Sequence, residues 1–380
     1  MNKIMIMTGE ASGDLHGANL AREIWKQDPL AVIYGVGSKQ MREAGVRMLA
    51  DASLISVVGI TEVVTHIRPI YAVYAKLKKF LREERPDLLI LIDFPDFNIM
   101  LGKSAQKLGI PVVYYISPQV WVWRKGRIKK IARLVKTMIV VFPFEVPLYE
   151  KEGVDVRFVG HPLTDVVKSA YSQAEARLSL GLDPSRRTVA LLPGSRRGEI
   201  ANLLPEMLGA ARLLMSRFQG LQFILPVAPT LDISYVRSYL EPDTVPVHLI
   251  DGRVYDVLRA SDAALVTSGT ATLEAGLMAV PMVIVYRISE LTYFLITKLV
   301  RGLAHIGLVN IVANQRLVPE LIQHDATPEK IAEEVAGMLN DPAYYEQIRT
   351  GLLKLRSQLG EDGASARAAS IIIELLKGSA

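Results

Sequence analysis

The chain has 380 residues, half of them apolar, with 44 Lys and Arg against 39 Asp and Glu and no cysteine. That excludes disulfides, thiolate metal sites and cysteine nucleophiles, and it leaves room for two domains of ordinary size. The net charge of +5 suits an anionic partner such as a phosphorylated substrate or an acidic membrane surface, whereas the recognised nucleic-acid-binding signatures are missing, so nucleic acid is not an expected partner.

The opening run, Met1 to Met7, meets Gly9-Glu10 too soon for a signal peptide and reads as a first strand. With no cysteine, a cytoplasmic address is the default. No run of about 18 uncharged apolar residues suggests a spanning helix. The mean hydropathy of +0.25 is high. Buried parallel strands explain part of it, and a surface that touches lipid would explain more. Strand-like runs fall at 3–8, 31–36, 87–92, 111–116, 137–142 and 155–159, then at 188–192, 221–225, 246–250, 262–266 and 281–286. Helical patterns alternate with them and close the chain at 328–339, 342–359 and 363–377. This order predicts an α/β chain of two doubly wound, Rossmann-like domains facing a cleft between their strand ends. The expected divisions are 1–165, 166–362 and a C-terminal helix, 363–380, packing back on the N-terminal domain.

The first loop, Thr8 to Gly17, opens a helix and includes Gly9, Glu10, Ser12 and Gly13. Its glycines lack the G-x-G-x-x-G spacing. It reads as a substrate loop, or equally as a tight turn. Residues 54–82 mix apolar and aromatic side chains with Arg68, Lys76, Lys78, Lys79 and Arg82, which suits a membrane-surface segment or a helix packed on the sheet. Asp93 ends a very apolar run, where it can take a proton from a substrate hydroxyl. Asp96 serves that role as well, or caps the next helix, and Asp96 and Asn98 are expected to belong with the first loop to the substrate loop. The spacing D-x-x-D is not the D-x-D of many metal-dependent sugar transferases, so no metal is expected. Trp121 and Trp123 adjoin Arg124, Lys125, Arg127, Lys129 and Lys130, which suits a headgroup interface or a core pair beside a solvated helix face. His161, between Gly160 and Pro162, reads as structural.

In the second half, Pro193-Gly194-Ser195-Arg196 follows a strand, and Arg196 can stabilise a departing diphosphate. Ser268-Gly269-Thr270-Ala271-Thr272-Leu273-Glu274 again joins a strand to a helix. Small residues let the backbone approach a phosphate at the helix N-terminus, and Glu274, one turn on, can accept ribose hydroxyls. The same residues also suit a plain N-cap, Thr270 or Thr272, with Glu274 completing a capping box. Residues 291–313 are apolar with scattered Lys and Arg, and include Asn310.

Taken in order, Gly9-Glu10-Ala11-Ser12-Gly13-Asp14, Ile92-Asp93-Phe94-Pro95-Asp96-Phe97-Asn98, Ser117-Pro118-Gln119-Val120-Trp121-Val122-Trp123, Gly160-His161-Pro162, Pro193-Gly194-Ser195-Arg196 and Ser268 to Glu274 resemble the lipid-A-disaccharide synthase family. The resemblance implies a glycosyltransferase B-type fold and an inverting hexosyltransferase of lipid A, hence lipopolysaccharide, biosynthesis. UDP-2,3-diacylglucosamine would donate its sugar to 2,3-diacylglucosamine 1-phosphate (lipid X), giving a β-1,6 disaccharide and UDP. It implies an N-terminal acceptor and membrane-facing domain, a second domain for the UDP-sugar donor, no cofactor, and a peripheral enzyme on the inner face of the cytoplasmic membrane. It implies Asp93 as general base, Arg196 as essential arginine, Glu274 at the ribose, Ser268, Gly269 and Thr270 near the diphosphate, and Asn310 in the donor site. Some members exchange C-terminal portions, so a homodimer is a further expectation. Phe94 departs from the smaller residue of some members and would alter the floor near Asp93. Two rivals share features with this reading: a UDP-N-acetylglucosamine 2-epimerase, which handles a soluble sugar, and a non-catalytic lipid-binding protein on a transferase fold. A nicotinamide-dependent reductase lacks its fingerprint.

Overall fold

A computed structural model of the chain describes residues 1–55, 60–118, 126–240, 245–288 and 305–378, with side chains described for all of these except 11 and 60–67. Two compact units are formed, Met1–Asp165 together with Leu359–Ala380, and Val166–Gln358.

The first unit holds strands β1 (Lys3–Met7), β2 (Val32–Gly37), β3 (Arg47–Asp51), β4 (Leu88–Ile92), β5 (Val112–Tyr115), β6 (Thr137–Val140) and β7 (Asp155–Phe158) in the order β3-β2-β1-β4-β5-β6-β7. Every pairing is parallel. The central strands are apolar throughout because helices cover both faces; all five residues of β4 are buried. The edge strands β3 and β7 are partly exposed, and β3 was not signalled by an apolar run. The closing helix, Ala364–Lys377, packs on the first helix, Ala11–Gln27. Asp165 fastens it by accepting the Gly363 and Ser365 amides at 2.5 and 3.2 Å.

His16, on the first helix, meets the ring of His161 edge-on at 6.2 Å, and both are buried. His161 Nδ1 accepts the Leu163 amide at 3.1 Å, which supports the structural reading of that turn. Burial holds the imidazoles neutral. It lowers His16 to about 4 against an opposing Asp165 charge, and it lowers His161 to about 3 with His16 adding to the effect. The unfolded chain protonates both near 6.5. Stability from these groups is therefore complete above that pH and is lost as pH falls toward 4, at about 1.4 kcal/mol per pH unit for each imidazole. All three tryptophans (Trp25, Trp121 and Trp123) belong to this unit's residues. Urea unfolding followed by tryptophan fluorescence should show a larger loss between pH 7 and pH 5 for wild type than for His16→Asn; equal losses would contradict the assignment.

The second unit holds β8 (Thr188–Leu192), β9 (Gln222–Val227), β10 (Val247–Asp251), β11 (Ala263–Thr267), β12 (Met282–Tyr286) and β13 (Glu320–Ile322), ordered β10-β9-β8-β11-β12-β13 and again parallel. Both sheets are doubly wound. In each, strand order reverses beside the unit's first strand, between β1 and β4 and between β8 and β11. Ligands of such sheets bind beyond the carboxyl ends of the strands at that reversal. No described helix is long and apolar enough to cross a membrane.

Candidate active site

In the first unit the loops after β1 and β4 flank the reversal point, so Gly9 and Glu10 share it with Asp93. The backbone there is strained. Asp93 and Phe94 both have φ of 45°, and Ile116, just past β5, has φ of 65°. Left-handed geometry is rare for bulky and β-branched residues, and observed strain of this kind costs roughly 1–3 kcal/mol per residue unless its surroundings enforce it. Here they do. The Asn98 side-chain amide donates to the carbonyls of Ile92 at 3.1 Å and Asp93 at 2.7 Å, and the Tyr114 hydroxyl also donates to the Asp93 carbonyl. Burial first, and the Asp93 charge second, push the Tyr114 phenol well above its ordinary range, so it remains a donor. The Phe94 ring lies over Gly9, where a Cβ would fall 2.2 Å from the ring. A side chain at Gly9 would thus displace Phe94 and the turn carrying Asp93.

Several expected contacts are placed differently. Asn98, expected in the substrate loop, is fully buried beneath the turn and shapes it through those carbonyls. Asp96 is exposed on the first turn of the helix Pro95–Lys107 and is ion-paired with Arg127. Within the first loop, Asp14 is buried and accepts the amides of Ser38, Gln40 and Met41 at 2.6, 2.8 and 3.2 Å; it holds the β2 turn. Ser12 and Gly13 lie in the first turn of the helix Ala11–Gln27. Gln119 to Lys125, with both tryptophans of that motif, and 291–304 of the second apolar segment lie outside the described residues, as do 56–59 of the first.

In the second unit the Pro193–Arg196 and Ser268–Thr270 turns flank the reversal between β8 and β11. Gly194 has φ of 124°, and a Cβ there would meet Glu199 Oε2 at 2.1 Å. That carboxylate accepts the amides of Ser195 at 2.8 Å and Arg196 at 3.2 Å, and it pairs with the Arg196 guanidinium at 3.1 Å. Arg196 is thus aimed from the N-terminus of the helix Arg197–Arg217. Gly269, φ 145°, is the cap of the helix Thr270–Leu277 and makes no side-chain cap bond. The capping-box alternative fails here. Thr272 turns its hydroxyl to the Gly269 carbonyl at 2.8 Å, and Glu274 accepts from Tyr255 at 3.2 Å. Glu274 stands one turn into that helix, and burial raises its carboxyl against the opposing Tyr255 bond.

Ser268 donates to the Ile306 carbonyl at 3.0 Å. Glu320, on β13, accepts the amides of Ile306 and Gly307 at 2.9 and 3.1 Å and the Asn310 side chain at 2.8 Å. Asn310, expected in contact with the donor, is fully buried. Its amide nitrogen also donates to the Val318 carbonyl at 2.9 Å, and its oxygen accepts the Leu317 and Val318 amides. It braces the 306–307 segment on which Ser268 rests. Tyr114, Tyr255 and Glu320 escaped the sequence reading. The tyrosines sit in apolar or helical runs like any core aromatic, and only the fold shows that Glu320 faces two amides.

The family model described as lipid-A-disaccharide synthetase matches residues 4–372. The lipid-A-disaccharide synthase of Geobacter metallireducens is 52% identical over 374 residues, covering 98% of this chain and 97% of its own. Among solved structures, the UDP-GlcNAc 2-epimerase of Neisseria meningitidis bound to UDP-GlcNAc superimposes with a TM-score of 0.64 at 14% identity, covering 99% of this chain and 100% of its own. The calicheamicin glycosyltransferase CalG4 gives 0.65 at 17%, covering 100% and 99%. At such identities the structures speak for the fold, the two-domain glycosyltransferase B type that these epimerases share. The sequence match along nearly the whole chain speaks for the family: this chain belongs to the lipid-A-disaccharide synthases.

Proposed function

We propose that Asp93 and Arg196 carry the chemistry of a metal-independent, inverting hexosyl transfer. As a member of its family the chain is a glycosyltransferase of lipid A synthesis, joining UDP-2,3-diacylglucosamine to 2,3-diacylglucosamine 1-phosphate. Asp93 takes the proton of the acceptor's 6-hydroxyl as that oxygen bonds to the anomeric carbon of the donor. The bond from that carbon to the diphosphate breaks with inversion, and UDP leaves with the electron pair. Arg196 and the N-terminus of the Thr270–Leu277 helix stabilise the departing charge. Asp93, just past the apolar strand β4 at the reversal point, suits the base better than Asp96, which is exposed on the following helix and ion-paired with Arg127. No cofactor enters this scheme.

The observation that carries the reading is positional. The motifs of Asp93, Arg196 and Ser268–Glu274 each stand just past a strand that borders a reversal point. Ser268, Gly269 and Thr270 would receive the diphosphate and Glu274 the ribose hydroxyls, with Tyr255 orienting its carboxylate. Asn310 and Glu320 act indirectly, by holding the segment behind Ser268. Gly9, Glu10, Ser12 and Gly13 would border the acceptor. We expect Glu274→Ala to weaken UDP binding by about 10- to 100-fold, the loss for hydrogen bonds to a charged group, in a calorimetric titration. Unchanged affinity would remove Glu274 from the nucleotide site. Peripheral attachment to the inner face of the cytoplasmic membrane, and a homodimer, belong to the same reading; acylated substrates and the exposed Tyr71 (70%) on the helix Ile60–Glu84 support the former.

A further inference from the structure

The helices Ile60–Glu84 and Pro95–Lys107 enclose a groove of about 360 Å³ whose walls carry Lys78, Arg82, Lys103 and Lys107, with Tyr74 and Met100 among the other lining residues. A second hollow of about 540 Å³ shares Met100 and Lys103 and adds Asp96, Arg127 and Lys130. The two therefore adjoin along one side of the Pro95–Lys107 helix. Tyr74 and Ser104 close the floor with a hydroxyl–hydroxyl bond of 2.9 Å.

The charges here are unbalanced. Among the described residues, Lys78, Arg82, Lys103, Lys107 and Lys130 engage no carboxylate and no hydrogen-bond acceptor. The one carboxylate in the lining, Asp96, is neutralised by Arg127. Elsewhere in the unit some lysines are paired, Lys3 with Glu84, Lys39 with Glu43, and Lys79, next to Lys78, with Glu83, while among the described residues Lys129 and Lys151 stand alone on the surface; the trough is distinct in gathering five such cations around one concave surface. Unpaired like charges around a concave surface repel one another, and a bound anion relieves that cost. Helical spacing explains the clustering. Tyr74, Lys78 and Arg82 recur every fourth residue, and Met100, Lys103 and Lys107 share one face of their helix.

From Asp96 to Lys107 the trough runs about 16 Å at 1.5 Å per helical residue, too long for a single phosphate. Met100 is 46% exposed between the two hollows, and Tyr71 stands one turn before Tyr74. Cations flanked by exposed apolar side chains suit the headgroup region of a bilayer. We propose that this flank is where the enzyme holds an anionic lipid surface, with headgroup phosphates seated along the trough. The proposal rests on the reading that the substrates reside in a membrane.

The full-length chain is tested by co-sedimentation with vesicles of phosphatidylcholine, with and without phosphatidylglycerol. Each neutralised cation near such a surface is worth about fivefold in partitioning. The double variant Lys103→Gln, Lys107→Gln should therefore bind phosphatidylglycerol vesicles about 25-fold more weakly than wild type. Lys151→Gln with Lys354→Gln removes the same net charge outside the trough and should bind as wild type does. Equal losses in both double variants, or none in the first, would overturn the proposal. Vesicle binding kept by the first variant, together with a raised KM for the acceptor in detergent, would assign the trough to the acceptor's phosphomonoester and overturn the membrane assignment. Vesicle binding is read without turnover. Trough-dependent binding by a wild-type chain that makes no disaccharide would therefore uphold this surface while refuting the transferase reading.

Discussion

Asp93→Asn is expected to lower turnover by about two to four powers of ten, the usual worth of a positioned general base, with the fold intact. The amide keeps the size of the carboxylate but cannot accept the hydroxyl proton. The turn persists because its supports, Asn98 and Tyr114, act on the backbone carbonyls of Ile92 and Asp93 and not on the side chain. The loss should therefore fall on kcat, with the KM for the acceptor little changed. Asp96→Asn is the matched comparison. Its carboxylate is exposed and paired with Arg127, so its loss should cost less than tenfold, as expected of a surface ion pair. Steady-state kinetics of both variants decide the matter. If Asp96→Asn is the dead enzyme and Asp93→Asn retains activity, the base has been assigned to the wrong residue.

Arg196→Ala is expected to cut turnover by roughly two to three powers of ten, as does loss of one preorganised donor to a developing negative charge. The guanidinium is aimed by Glu199, whose carboxylate also holds the Ser195 and Arg196 amides. Removing the arginine leaves that amide cap in place, so the Arg197–Arg217 helix should keep its start. Arg196→Lys should restore little, because a point charge on a flexible stem does not reproduce a planar fork. Near-normal turnover in Arg196→Ala would take the residue out of the mechanism.

The doubly wound character of both halves was legible because buried parallel strands leave unbroken apolar runs. Leu88-Leu89-Ile90-Leu91-Ile92 and Ala263-Ala264-Leu265-Val266 announce themselves in this way. β3 and β13 did not, since one is half-exposed at an edge and the other has three residues. The positions of Asp93, Arg196 and the Ser268–Thr270 turn that precedes Glu274 were legible for a related reason. A polar residue just past an apolar run must lie at a strand end, and such ends are where doubly wound sheets bind ligands. What surrounds them was not legible. Nothing local tells that Asn98 turns inward to two carbonyls while Asp96 turns outward to Arg127, because the answer depends on the strand and helix brought alongside. The left-handed pair Asp93–Phe94 carries no glycine or asparagine as a signal. Its trace is Gly9, far away in sequence, which leaves room for the Phe94 ring. Asn310 shows the same limit: the residue was legible as notable, but its task of bracing 306–307 together with Glu320 depends on β13.

The most direct test of the transferase reading is UDP release from UDP-2,3-diacylglucosamine by the wild-type chain in detergent, with and without 2,3-diacylglucosamine 1-phosphate. The account predicts release that depends on the acceptor, with one disaccharide formed for each UDP. Release that proceeds equally without the acceptor would contradict it and favour epimerase-type chemistry; no release under either condition would favour a lipid-binding protein on a transferase fold.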